Sequence, residues 1–231
     1  MERPAQSRGG ELPVRIPIKG AFLEGSLSVP EGAFGIVLFV HGSGSSRFSP
    51  RNRFVALSLQ KAGLATLLFD LLTPTEEQID AETRHLRFDI GLLEGRLLAS
   101  TDWIDGEPGL ASLRLGYFGA STGAAAALVA AARRPDRVGA VVSRGGRPDL
   151  AGPALPLVQA PTQLLVGSED REVIDLNRRA ARKMRAVHSL EIIPGATHLF
   201  EEPGALEEVA HRATAWFTRW LGQGGRDEKH V

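Results

Sequence analysis

Short, continuously apolar runs alternate along this chain with longer segments whose apolar residues recur at helical spacing. The six clearest runs are rich in Val, Leu, Ile or Phe and lie at residues 35–40, 64–69, 113–118, 138–143, 162–166 and 190–193. Strands that are apolar on both faces are typical of a parallel sheet buried between helices. The pattern therefore predicts an α/β fold in which crossover helices join parallel strands.

An antiparallel hairpin is predicted ahead of these runs. Residues 14–18 alternate apolar with other side chains, and residues 21–29 can pair back after the turn at Lys19-Gly20. The hairpin would form one edge of the sheet, so we expect a mostly parallel sheet of eight strands.

Helices are predicted between the strands, on both faces of the sheet. Ser49 and Pro50 are typical of the start of a helix, which would end before Gly63. Further helices are predicted at residues 85–104, at residues 175–186 and over a C-terminal apolar face, interpreted as core packing, that comprises Leu206, Val209, Ala213, Trp216, Phe217 and Trp220.

The length and charge of the chain restrict its class. With 231 residues it has room for one domain, which we place at 13–221 between flexible segments at 1–12 and 222–231. Lys plus Arg and Asp plus Glu both number 27, and this neutral balance argues against a nucleic-acid partner. No segment has the roughly 18 apolar residues of a membrane span, and the polar start lacks a signal peptide. We therefore expect a cytoplasmic protein with no membrane partner.

The absence of cysteine restricts the chemistry to other groups. It excludes a thiol nucleophile, a disulfide framework and thiolate metal sites. No His, Asp and Glu residues have the spacing of metal ligands, and no phosphate-binding glycine motif is present. We therefore expect neither a metal nor a cofactor.

The segment Gly119-Ala120-Ser121-Thr122-Gly123 leads from a predicted strand directly into an alanine-rich helix. A reversal this sharp leaves room only for small residues two positions from the serine, and it exposes the hydroxyl at the carboxyl edge of the sheet. Ser121 is therefore the candidate nucleophile, and a tight turn without chemistry is the alternative.

A serine nucleophile needs a general base, for which six histidines are available. His198 follows the last predicted strand, so it would lie at the same edge of the sheet as Ser121. We therefore choose His198 as the base. Structural roles fit the other histidines better, namely His41, His85, His188, His211 and His230.

The base in turn needs a carboxylate that fixes its tautomer. Asp170 follows a strand at the same edge and is the preferred candidate. Its neighbour Glu169 and the earlier Asp149 are alternatives. Asp149 can instead cap the short helix that follows Pro148.

Two backbone N–H groups are candidates for stabilising negative charge on a substrate carbonyl. The Thr122 amide opens the helix after the serine. The Ser43 amide lies in the Gly-rich loop after the first parallel strand, where Gly44 is an alternative.

Arginines lie near the expected mouth of this site. Arg47, Arg51 and Arg53 follow the Gly-rich loop, and Arg144 follows a later strand. Guanidinium groups bind carboxylates well, although at a helix start they more often face solvent. Arg47, Arg51 and Arg144, together with Gly44, are therefore candidate substrate-binding residues. Arg47 and Arg51 would favour an acidic ester as substrate.

Together these motifs resemble the α/β-hydrolase superfamily, in its dienelactone-hydrolase-like branch. The resemblance covers about residues 13–221 and rests on four motifs in the family's order: His41-Gly42-Ser43-Gly44, residues 119–123, Gly167-Ser168-Glu169-Asp170 and Gly195-Ala196-Thr197-His198. It implies an eight-stranded sheet and hydrolysis of an ester or related acyl bond through an acyl-serine intermediate. Dienelactone hydrolases themselves use a cysteine, which this chain lacks, so the resemblance does not imply dienelactone as the substrate.

The connection between the strands at 138–143 and 162–166 is too short for the large cap domain that many relatives insert there. We expect an open site that accepts a small-molecule ester with a small to medium acyl group. The alternatives are an acyltransferase, peptidase or perhydrolase with the same three groups, and a catalytically silent binding protein. Assembly of the chain into a homodimer is a further hypothesis.

Overall fold

The computed structural model describes residues 10–222, which form an eight-stranded, mostly parallel sheet with helices on both faces. The strands are β1 (Leu12–Ile18), β2 (Ala21–Ser28), β3 (Gly35–Val40), β4 (Leu64–Phe69), β5 (Arg114–Ala120), β6 (Val138–Arg144), β7 (Thr162–Gly167) and β8 (His188–Ile193). Their order is β1-β2-β4-β3-β5-β6-β7-β8, and only the pairs β1–β2 and β2–β4 are antiparallel within this sheet. The predicted sheet, with the hairpin at one edge, is confirmed.

The helices within residues 10–222 are α1 (Pro50–Lys61), α2 (Pro74–Thr83), α3 (Ile90–Gly106), α4 (Thr122–Arg133), α5 (Arg171–Ala181) and α6 (Ala205–Leu221). Short 3-10 segments lie at Leu86–Phe88 and Pro148–Leu157. Helix α1 begins as predicted, because the Ser49 Oγ accepts a hydrogen bond from the Asn52 N–H at 3.4 Å. No helix in this part of the chain is long and apolar enough to cross a membrane.

Some predicted helix bounds are wrong. The single helix expected at 85–104 is divided at Asp89, whose carboxylate accepts a hydrogen bond from the Leu92 N–H at 3.0 Å and so starts α3 anew. Helix α5 begins four residues before the predicted 175 and ends at Ala181 rather than 186. Most of the flexible segments predicted at 1–12 and 222–231 falls outside the described residues, and β1 begins at Leu12.

Helix α2 is missing from the sequence prediction because it has no apolar stripe. Asp80 is its one buried residue within the described chain. A polar signal does mark its start, since the Thr73 Oγ1 accepts the Glu76 N–H and the Glu76 carboxylate accepts the Thr73 N–H. This reciprocal capping pattern can be read from a sequence, and here it identifies a helix that hydrophobic periodicity does not.

The packing of the sheet leaves its carboxyl edge open. Helices α1 and α6 cover one face, where Phe217 and Trp220 are buried as predicted. Helices α3 and α4 cover the other face. Only the 3-10 segment at Pro148–Leu157 lies between β6 and β7. The predicted absence of a large cap domain is confirmed, and the loops after the parallel strands meet at one edge of the sheet.

Candidate active site

The turn between β5 and α4 holds Ser121 in a strained conformation. Its φ of +50° and ψ of −122° lie where a residue with a side chain is disfavoured. A Cβ on Gly119 would lie 2.4 Å from the Ala124 Cα, and a Cβ on Gly123 would lie 2.2 Å from the Val40 carbonyl oxygen. Both glycines are therefore required for a reversal that presents the serine at the carboxyl edge.

The end of β6 links the serine to the histidine loop. The Ser121 N–H donates to the Arg144 carbonyl at 3.2 Å, and the Arg147 N–H donates to the Ser121 carbonyl at 3.0 Å. Gly145 lies between these two arginines. A Cβ there would lie 3.1 Å from the His198 carbonyl oxygen and 3.6 Å from the His198 Cε1. One short segment thus contacts both candidate residues.

Asp170 and His198 form a short hydrogen bond, with 2.5 Å between Asp170 Oδ2 and His198 Nδ1. A carboxylate only accepts hydrogen bonds, so the Nδ1 proton is on the histidine and Nε2 is left free to accept another. The two loops also touch closely, because a Cβ on Gly167 would lie 2.2 Å from the Ala196 carbonyl oxygen. The pair therefore has the arrangement of a general base with its orienting acid.

The alternative acids lie elsewhere. Both carboxylate oxygens of Asp149 accept hydrogen bonds from the Arg147 guanidinium, at 2.9 and 2.8 Å. These bonds lower the pKa of Asp149. The prediction that Asp149 can cap a helix is wrong, since it lies inside the 3-10 segment that begins at Pro148. Glu169 accepts a hydrogen bond from the Ser168 hydroxyl at 2.9 Å.

The loop after β3 lies directly against the serine. A Cβ on Gly42 would lie 3.0 Å from the Ser121 Cβ. Within residues 10–222, neither the Ser43 nor the Thr122 backbone N–H donates a hydrogen bond. These two amides, the candidates for an oxyanion hole, are therefore both available to a substrate oxygen.

His41 fixes the position of this loop. Its Nε2 accepts a hydrogen bond from the Leu71 N–H at 3.1 Å, so its proton is on Nδ1, which donates to the Gly42 carbonyl at 3.0 Å. Burial lowers the pKa of His41, against smaller opposing effects of the Gly42 bond and Asp70. The sequence predicts only a structural role for His41, because its partner at Leu71 depends on tertiary packing.

A cavity of about 490 Å³ adjoins the loop after β3 and extends toward α2 and α3. Its polar lining includes His41, Ser43, Gly44, Ser45, Ser46, Arg51, Glu77, Asp80 and Arg87. The Arg87 Nε donates to the Asp80 carboxylate at 2.5 Å and holds the far side of the cavity in place. Burial raises the pKa of Glu77. This side of the cavity could not be predicted from the sequence, because α2 has no apolar stripe.

The arginines predicted near the mouth differ in their partners. Arg47 pairs with Asp70 through its guanidinium and its backbone N–H, and Arg53 pairs with Glu11. Arg51 donates to Glu201 at 2.8 Å and also lines the cavity. Arg144 is buried and pairs with no carboxylate in the described part of the chain. In the same residues, no group of three or more His, Asp or Glu side chains is placed to hold a metal ion.

Comparisons with known proteins agree on the fold. The chain matches the dienelactone hydrolase family over residues 25–224. The crystal structure of a dienelactone hydrolase from Anabaena variabilis ATCC 29413 is 59% identical, with a TM-score of 0.91, and the match covers 93% of this chain and 99% of that one. Est1E from Butyrivibrio proteoclasticus is 16% identical with a TM-score of 0.75, covering 90% and 98% of the two chains, and shows the fold alone.

A curated relative from Mycobacterium tuberculosis (strain ATCC 25618 / H37Rv) carries the name "Putative phosphoribosyl transferase" and is 59% identical over 193 residues. The match covers 84% of this chain and 43% of the relative, so the chain spans less than half of that protein. The family match instead covers most of the chain, and it agrees with the sheet order and the strained serine turn. The chain belongs to the dienelactone hydrolase family and has the α/β-hydrolase fold.

Proposed function

We propose that the protein is a serine esterase that cleaves small to medium carboxylic esters through an acyl-serine intermediate. The observation that carries the proposal is the short hydrogen bond between Asp170 and His198. It is supported by the segment at residues 144–147, which contacts both Ser121 and His198. A nucleophile, a base and an orienting acid are the three groups that acyl transfer to serine requires.

In the proposed reaction, His198 Nε2 takes the proton of the Ser121 hydroxyl as its oxygen attacks the ester carbonyl. The amides of Ser43 and Thr122 donate hydrogen bonds to the resulting oxyanion. The protonated histidine, stabilised by Asp170, gives its proton to the leaving alcohol. Water then attacks the acyl-serine with His198 as base, which releases the carboxylic acid and restores the serine.

Two observations support the proposed substrate class. The short connection between β6 and β7 leaves the site without a large cap, which suits small and medium acyl groups better than long lipids. The 59% identical relative from Anabaena variabilis is named a dienelactone hydrolase, and a lactone is a cyclic ester. The transferase name belongs to proteins of which this chain spans 43%, so we do not extend it to this chain.

A panel of 4-nitrophenyl esters from acetate to dodecanoate tests the proposal. We expect turnover that declines for the longest acyl chains and a Ser121→Ala variant whose kcat is about 10⁶-fold lower. A fluorophosphonate probe should label the wild type and not the variant. A wild type that neither reacts with the probe nor cleaves any ester would be a silent binding protein and would overturn the proposal.

Product analysis with added alcohol, amine or peroxide separates hydrolysis from the acyltransferase, peptidase and perhydrolase alternatives, which use the same three groups. The cytoplasmic location and the homodimer stay predictions, which cell fractionation and light scattering would test.

A further inference from the structure

Asn177 is a fully buried residue that joins helix α5 to the segment at residues 144–147. Its Nδ2 donates to the Gly146 carbonyl at 3.0 Å and to the Val173 carbonyl of its own helix at 2.8 Å. Carbonyl oxygens only accept hydrogen bonds, so the nitrogen of the side-chain amide has to face them. Asn177 therefore ties the helix to a loop at the carboxyl edge of the sheet.

Stability alone does not explain an amide at this position. The Asn177 Oδ1 is buried without a hydrogen-bond donor in the described residues. A buried polar atom without a partner costs free energy, which offsets part of the gain from the two bonds of the Nδ2. An apolar side chain would fill the same space without that cost, but it could not bind the Gly146 carbonyl. The amide therefore contributes a fixed position for this carbonyl.

Gly146 is buried and depends on Asn177 for its position. A Cβ there would overlap the Ser143 Oγ and would lie 2.6 Å from the Ala124 Cβ, so the main chain packs directly against β6 and the first turn of α4. Among residues 10–222, the Asn177 amide is the one group that donates to the Gly146 carbonyl. This bond therefore fixes the distance between the loop and α5.

The residues on either side of Gly146 contact the candidate nucleophile and base. The Arg147 N–H donates to the Ser121 carbonyl at 3.0 Å. A Cβ on Gly145 would lie 3.1 Å from the His198 carbonyl oxygen. A displacement of Gly146 would therefore move the serine turn relative to the histidine loop.

Helix α5 begins directly after the candidate acid. Asp170 is the N-cap residue of α5, and its carbonyl accepts the Ile174 N–H at 2.9 Å. Asn177 lies on the second turn of the same helix. One side chain thus connects the helix that starts at the acid with the loop that contacts the nucleophile and the base.

We propose that Asn177 is a positioning residue, which holds Gly146 so that Ser121 and the Asp170–His198 pair keep the separation that proton transfer requires. The inference rests on the proposed esterase activity. A displacement of about 1 Å can lower the rate of such a step about 100-fold. Asn177 does not line the cavity of the candidate site. Loss of its amide should therefore lower kcat and leave substrate binding unchanged.

Asn177→Leu removes the amide and keeps a similar volume. On one 4-nitrophenyl ester its kcat should be about 10- to 100-fold lower, with KM within about threefold of the wild type, and fluorophosphonate labelling should slow in parallel with kcat. The matched control is Thr101→Val, because this buried hydroxyl bonds to Leu97 and Tyr117 in the core. The control should lower the Tm and leave kcat unchanged. A wild-type kcat in Asn177→Leu, whatever its Tm, would overturn the proposal.

A second variant covers the case in which leucine does not fit the site. Asn177→Ala removes the same hydrogen bonds without adding any group, and it should show the same fall in kcat with constant KM. Near-UV circular dichroism measures the folded fraction of each variant, so that kcat refers to folded protein. If neither variant folds, the amide serves the fold rather than the geometry of the site, and the proposal is wrong.

Hydrogen exchange tests the role of Asn177 without any turnover. The N–H groups of Ser121 and Arg147 bond between the serine turn and the segment at 144–147, and they should exchange about 10-fold faster in Asn177→Leu than in the wild type or Thr101→Val. Unchanged exchange in Asn177→Leu would overturn the proposal, with or without a loss of kcat.

The two kinds of measurement separate the two proposals. A wild type that cleaves no ester, together with faster exchange in Asn177→Leu, contradicts the esterase proposal and supports the link through Asn177. A wild type that cleaves esters, together with unchanged kcat and exchange in Asn177→Leu, supports the esterase and overturns the positioning role.

Discussion

The two walls of the candidate site are built in different ways. The strand-end wall, which consists of the loops after β3, β5, β6, β7 and β8, is fixed by main-chain contacts. At Gly123 and Gly167 a Cβ would lie 2.2 Å from a carbonyl oxygen of the neighbouring loop. The helical wall, which consists of α2, the segment Leu86–Phe88 and the start of α3, is held by side-chain ion pairs such as Asp80 with Arg87.

Because of this difference, we expect the strand-end wall to determine turnover and the helical wall to determine substrate selectivity. Main-chain contacts at glycines leave almost no alternative positions, which suits groups that must be placed within a fraction of an ångström. Side-chain pairs can be exchanged for others without moving the sheet. We therefore expect changes in the strand-end wall to abolish turnover and changes in the helical wall to alter which substrate is bound.

After the serine itself, the largest effect is expected at the candidate acid of the strand-end wall, Asp170. Asp170→Asn keeps the shape of the loop but removes the carboxylate that fixes the His198 tautomer, and kcat should fall by about 10⁴. The control is Asp149→Asn, because Asp149 pairs with Arg147 rather than with the histidine. Steady-state kinetics on one nitrophenyl ester would measure both. A larger loss in the Asp149 variant would assign the acid to that residue.

Adding a methyl group at a closely packed glycine of the strand-end wall should have the next largest effect, a loss of stability. In Gly123→Ala the new methyl group would meet the carbonyl oxygens of Val40 and His41 at 2.2 and 2.5 Å. We expect the free energy of unfolding to fall by about 3 to 5 kcal/mol, measured by urea denaturation. Gly95→Ala is the matched control, because its Cβ would meet nothing within 4 Å and it lies inside α3. That change should stabilise by about 0.5 to 1 kcal/mol.

The comparison of the two walls also explains which parts of the site could be predicted from the sequence. The strand-end wall could be predicted because its constraints are local: the glycines at 119 and 123 surround the serine, and the candidate acid and base each follow a strand. The edge of the sheet then brings these loops together. The pair Asp80 with Arg87 has no comparable local signal, since neither residue belongs to an apolar pattern and their contact depends on where α2 packs.

Arg144 shows the same limit in another form. Its place at the end of β6 makes it a candidate, but the places of Arg47 and Arg51 make them candidates as well. Only the packing shows that Arg47 has Asp70 as a partner while Arg144 is buried without one. Burial and the partner of a charged side chain are set by distant parts of the chain, so position in the sequence cannot rank such residues.

A substitution in the helical wall should mainly weaken substrate binding. In Asp80→Asn the Arg87 guanidinium loses its charged partner, and we expect a loss of about 1 to 2 kcal/mol in unfolding free energy. Because this pair supports the cavity rather than the serine, KM should rise about tenfold with a smaller change in kcat. The control Asp175→Asn removes an exposed pair with Arg178 and should change neither. A drop in kcat with constant KM would contradict the division between the walls.

The smallest effect is expected where the walls meet, at His41. Its pKa lies below the ordinary value of 6.5 because burial disfavours the charged ring. The unfolded chain therefore binds a proton on this residue at a pH where the folded protein does not. The stability that neutral His41 contributes is full above about pH 6.5 and is lost as the pH falls toward the folded pKa.

His41→Phe removes both the Leu71 and the Gly42 hydrogen bonds and with them this dependence. At pH 7.5 the wild type should be more stable than the variant by about 1 kcal/mol, and the difference should shrink as the pH falls to 5.5. Urea denaturation across this range measures the difference directly. If it grew instead on acidification, the folded protein would hold a charged His41. The Leu71 N–H would then have no acceptor on the ring, and the loop that carries Ser43 would have to be positioned in another way.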